Sequence, residues 1–205
     1  MAARVTNLRL LLVPALVALL PGCVVEELES DESDIIGGVD ATSAKLDAIG
    51  TVGTKDYDGS FDYFCTATLI GPKAVLTAKH CATDGPGGTP RLAEGKVYFA
   101  VGSDSRAPKQ LVEAVDVLTS PVHEGGMVEY GSDVAVYILA EPVKDVTPMP
   151  WAKAHLGADL LDAKFTAVGF GIQDRNRTSG TRKAGTLTLN AVSYTHLTLP
   201  TKRIV

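Results

Sequence analysis

The sequence predicts an all-β fold. Short apolar runs recur at spacings that suit strands better than helices. Twenty glycines and eleven prolines among 205 residues supply many turns. Apolar residues make up 45% of the chain, enough for a packed core, and the length fits one domain or one and a half.

The opening of the chain reads as an export signal. Arg4 and Arg9 form a positive start, and Leu10 to Leu20 is apolar apart from Pro14. That stretch is too short to span a bilayer, which takes ~20 apolar residues. Leu20-Pro21-Gly22-Cys23 follows and is similar to a bacterial lipoprotein box, from which it departs at Pro21. The expectation is a signal peptide of lipoprotein type over residues 1–23, with Cys23 lipidated. A plain secretory signal is the alternative. Either way export is the expectation, to the cell envelope or beyond it.

Residues 24–34 hold six acids and no base. They predict a solvated propeptide or tether. With this run and the basic residues of the two ends set aside, residues 35–191 form a mildly acidic body. No basic patch argues for nucleic acid.

Tyr63-Phe64-Cys65-Thr66-Ala67-Thr68-Leu69-Ile70 is rich in strand formers. Gly71-Pro72-Lys73 makes a turn, and Ala74-Val75-Leu76-Thr77 is the return strand. If Cys23 belongs to the leader, Cys65 and Cys81 remain, and the hairpin brings them together as a disulfide. Export to an oxidising compartment agrees with that pairing. A Cys81–His80 catalytic pair is a rival. Neighbours in an extended segment point to opposite faces, which argues against it. His80, His123, His155 and His196 show no metal-ligand spacing, so no metal site is expected.

His80 ends an apolar strand, and Asp133 opens another, Asp133-Val134-Ala135-Val136-Tyr137-Ile138-Leu139, 53 residues later. A serine hydroxyl needs a base near neutrality to take its proton, and histidine supplies one. A buried carboxylate on the other ring nitrogen fixes the tautomer and stabilises the imidazolium. An acid at the head of an apolar strand needs such a partner.

Thr77-Ala78-Lys79-His80-Cys81, Asp133-Val134-Ala135-Val136 and Ile35-Ile36-Gly37-Gly38 together resemble the trypsin-like (chymotrypsin-family) serine proteases. Lys79 departs from the small residue that the family's Thr-Ala-Ala-His-Cys carries there, and it has either to snorkel out or to shift the strand. Val117 to His123 is similar to the strand and turn before the aspartate strand. Ala167-Val168-Gly169-Phe170-Gly171 is similar to the Gly-Trp-Gly strand that begins the second barrel.

The resemblance covers residues 35–191. It implies a double β-barrel whose first barrel, from residue 35 to about 150, is complete and whose second is only begun. It implies a serine endopeptidase with His80 as base and Asp133 as its partner, no cofactor, protein or peptide substrates, and a monomer. Cleavage before Ile35 would create the activated N-terminus. Asp34 stands where trypsin-like activators prefer Arg or Lys, so an activating protease is expected without its identity.

The family's Gly-Asp-Ser-Gly-Gly is absent from this sequence. Val192 to Thr201 resembles a translated sequencing adapter, so residues 192–205 are expected to be foreign and the gene truncated. The expected consequence is a fragment without its serine nucleophile, oxyanion hole or specificity pocket. The alternative function is a non-catalytic protease homologue that serves as a surface binding module.

Overall fold

A computed structural model describes residues 37–84, 88–121, 133–152 and 160–188. The chain divides into Met1–Ser30 and Asp31–Val205. The first unit, with the expected leader and Cys23, lies outside the described residues, as do Ile35, His123 and the expected foreign tail.

Strand β1 (Val39–Asp40) is followed by a 3-10 turn (Ala44–Leu46) and β2 (Ile49–Lys55). Then come β3 (Phe61–Gly71) and β4 (Ala74–Thr77), turned at Pro72-Lys73 as the sequence predicts. A single helical turn, α1 (Lys79–Ala82), and another, α2 (Arg91–Glu94), precede β5 (Tyr98–Val101), β6 (Gln110–Thr119) and β7 (Ala135–Leu139). The last strands are β8 (Lys164–Gly169) and β9 (Lys183–Thr188). No helix among the described residues is long and apolar enough to cross a membrane.

Strands β2-β3-β4-β7-β6-β5 form a closed antiparallel barrel, with β2 pairing β5 to complete it. Closure leaves no strand edge exposed. The period of two is plain in the burial: Cys65, Ala67 and Leu69 of β3, and Ala135, Tyr137 and Leu139 of β7, point inward. They pack with Val52, Val75, Phe99, Val101 and Val112 into one core. Full burial of a large apolar side chain stabilises by about 1.5–3 kcal/mol, so this core is the main support of the fold. At Gly50 a Cβ would fall 2.1 Å from the carbonyl oxygen of Ala100, so β2 and β5 close only over a glycine.

The second sheet has the order β1-β9-β8. Phe165 pairs Leu187 on one face, half-buried, while Lys164 and Thr166 face Thr188 and Thr186 on the other, exposed. The expectation that residues from 35 onward belong to the first barrel fails at β1. Val39 pairs Ala184 and Asp40 pairs Lys183, so β1 lies in the second sheet. The barrel already closes through β2 and β5 and offers β1 no free edge.

Arg182 joins the two sheets. It is 1% exposed, just before β9. Its Nε donates to the Ala41 carbonyl at 2.7 Å. Nη1 donates to the Leu46 and Ile49 carbonyls at 2.7 and 3.0 Å. Nη2 donates to the Ser43 carbonyl at 3.1 Å and to Asp47 Oδ1 at 3.0 Å. A buried guanidinium is tolerated because its planar set of donors is occupied. Thr66 Oγ1 accepts the Phe170 N–H at 3.1 Å, and Tyr63 donates to Ser179 Oγ at 2.6 Å, adding two further ties between β3 and the segment around β8 and β9.

Candidate active site

Strand β4 delivers the chain to α1, and α1 carries His80. Thr77, at the end of β4, donates its hydroxyl to the Thr66 carbonyl at 3.0 Å and fixes that end against β3. The sequence predicts an extended segment through His80 and Cys81. The structure has a helical turn instead, with the Cys81 N–H bonded to the Ala78 carbonyl and the Thr83 N–H to that of Lys79. The opposite-faces argument against a Cys81–His80 pair therefore does not apply. The disulfide excludes that pair, because Cys81 is bonded to Cys65 with the Cα atoms 6.1 Å apart. Ligand atoms of Cys65, His80 and Cys81 lie within 4.8 Å of one another, the spacing of a metal cluster. A sulfur–sulfur bond consumes both thiolates, and one imidazole holds no ion.

Asp133, two residues before β7, meets His80 through both carboxylate oxygens. Oδ2 lies 2.7 Å from His80 Nδ1, and Oδ1 accepts the His80 backbone N–H at 2.9 Å. The side chains are 29% and 18% exposed, so the pair stands at the barrel surface under partial cover. Two contacts fix the carboxylate in rotation as well as in distance. With Nδ1–H donating to Asp133, the lone pair of the neutral ring lies on Nε2, where a proton can be taken up.

Lys79 does not snorkel into solvent, and it lies in the turn α1 rather than in a strand. It is 4% exposed, and its ammonium donates to the Ser120 carbonyl at 2.5 Å. Ile35 lies outside the described residues. The chain is described from Gly37, whose φ of +78° favours a glycine there. Sequence reasoning missed Arg182 and Asp47. Thr181-Arg182-Lys183 reads as an ordinary polar strand start, and nothing in it points to a carboxylate 135 residues away.

The Trypsin family model matches residues 35–198, a span that overlaps the start of the 192–205 stretch. A curated protein, "Trypsin" of Saccharopolyspora erythraea, is 30% identical over 139 residues, which are 67% of this chain and 55% of that protein. The chain therefore spans about half the length of that relative. A solved structure of GrC is similar with a TM-score of 0.58 at 18% identity, covering 77% of this chain and 66% of that one. One of HL collagenase has a TM-score of 0.56 at 16% identity, covering 77% and 64%. At these identities the two structures speak for the fold alone.

Proposed function

The chain belongs to the trypsin family, and from that premise we propose that it is the His80- and Asp133-bearing part of a serine endopeptidase. The observation that carries the reading is the double contact of Asp133 with the ring and the backbone of His80. His80 Nε2 takes the proton of a serine hydroxyl as the oxygen attacks the peptide carbonyl. It then gives that proton to the departing amine, leaving an acyl-enzyme. Water repeats the sequence in the second half and frees the acid. Asp133 holds the tautomer and balances the charge of the imidazolium. No Gly-Asp-Ser-Gly-Gly occurs in the residues given, and in this reading the serine has to be supplied from outside them.

The substrates in this reading are proteins or peptides, and the enzyme is an exported monomer, lipid-anchored if Cys23 is modified. Activation is a cut before Ile35. No Lys or Arg lies between Arg9 and Lys45, so the activating protease accepts an acidic residue such as Asp34. A cut at Lys45 would break the Arg182 nest, which holds the Ser43 and Leu46 carbonyls on either side of it.

The rival reading, a binding module without catalysis, draws on Lys79 and on the missing serine motif. The burial of Lys79 with its ammonium on Ser120 leaves both His80–Asp133 contacts in place and favours the enzyme. The test is the complete gene. It should encode Gly-Asp-Ser-Gly-Gly, and its mature product should begin at Ile35. His80→Ala in that product should lower peptide hydrolysis by ~10⁴-fold. The present chain should not react with a serine-directed phosphonate. Full turnover in His80→Ala, or labelling of the present chain, would end the reading.

A further inference from the structure

We propose that Lys79 is a positioning residue for the His80–Asp133 pair: its ammonium fastens the end of β6 to α1 and so holds the backbone that presents the Asp133 carboxylate. The proposal rests on the reading of that pair as base and orienting acid. It goes beyond that reading by giving a role to the residue at which this chain departs from the family pattern.

The geometry is a closed circuit. Lys79 Nζ donates to the Ser120 carbonyl at 2.5 Å. The Ser120 N–H donates to the Val134 carbonyl at 2.9 Å, and the Val134 N–H donates to Ser120 Oγ at 3.3 Å. Val134 follows Asp133 in the chain, and Asp133 accepts the N–H and Nδ1–H of His80, the neighbour of Lys79. Ser120 and Val134 form the last hydrogen-bonded pair of the β6–β7 ladder among the described residues. The ladder thus stops one residue short of the carboxylate, where strand ends open most easily. The Lys79 ammonium grips the chain at that point. With the residue 4% exposed, water competes little for the bond, and a charged donor makes it stronger than a neutral one. A small residue at 79 would pack there and could not reach Ser120.

The chain itself, labelled with ¹⁵N, gives the test. Two signals are followed by nuclear magnetic resonance: the far-downfield proton of His80 Nδ1–H, and hydrogen exchange at the Ser120 amide. Lys79→Met, of similar length but without a donor, should speed Ser120 exchange roughly tenfold and broaden or abolish the Nδ1–H proton. Amides of the barrel core such as Leu69 should stay protected. A folded Lys79→Met protein with both signals as in the wild type overturns the proposal. If Lys79→Met does not fold, Lys79→Arg is read instead. Its bulkier donor should speed exchange of both protons several-fold, and unchanged rates overturn the proposal. Asp133→Asn separates the two ideas. A downfield proton that survives this change, or is missing from the wild type, defeats the base-and-acid reading. Ser120 exchange still judges the Lys79 tie.

Discussion

Asp47 contributes to how this protein responds to acid. Burial by itself raises its carboxyl. The hydrogen bonds and charges of Lys109, at 2.8 Å, and Arg182, at 3.0 Å, outweigh that and hold it below the usual value. A depressed folded value means that the folded state binds this proton less readily than the unfolded chain. The stabilisation is complete above the unfolded value near ~4 and is lost as pH falls through the folded value. The melting temperature should therefore drop on acidification below about pH 4, and Asp47→Asn should flatten that drop while lowering stability at neutral pH. Melts of the two proteins across acidic pH would check this, and equal acid slopes would contradict it. His80 and Asp133 were legible in the sequence because each stands where an apolar strand meets a polar residue that needs a reason to be there. Asp47 and Arg182 were not, because each looks like a surface charge until the other is placed beside it.

The disulfide acts on the hairpin of β3 and β4 and on the helical turn beyond it. It closes a loop of ~15 residues, which in the loop-entropy account stabilises by about 3 kcal/mol. Replacing Cys65 and Cys81 by alanine should lower the free energy of unfolding in urea by about that amount. It should also loosen α1, since Cys81 lies in the same turn as His80. A loss below about 1 kcal/mol would mean that the loop is already held without the bridge. The hairpin could be read from its alternating pattern and its Gly-Pro-Lys turn. The turn α1 could not, because four residues are too few to show a helical period and an apolar strand leads straight into them. Strand β1 was misassigned for a related reason. Two residues carry no register of their own, and their partners come only with β9.

At the scale of the molecule, a closed barrel and a small second sheet are joined through Arg182. Arg182→Met would leave Asp47 without one of its two cations and four carbonyls without the guanidinium's hydrogen bonds. Breaking one side of a buried ion pair costs about 3–5 kcal/mol, and that range is the expected loss of stability. Hydrogen exchange should localise it. Amides of residues 41–48 and of β9 should lose protection while those of β3 and β7 keep it, and uniform loss across the barrel would contradict this division. The all-β class, the first barrel and the opening of a second sheet were legible from strand patterns and family motifs. The joint was not, because it depends on separations of 133 to 141 residues that no local pattern encodes.

Those separations also impose an order on biosynthesis. A chain has every strand of the barrel once Leu139 has been made, and that unit can condense before the rest is in place. The stretch from Ala41 to Asp47 is made before any strand of the barrel, yet it waits for a guanidinium made more than a hundred codons later. Until Arg182 arrives, the backbone just downstream of the acidic run stays hydrated and open to peptidases.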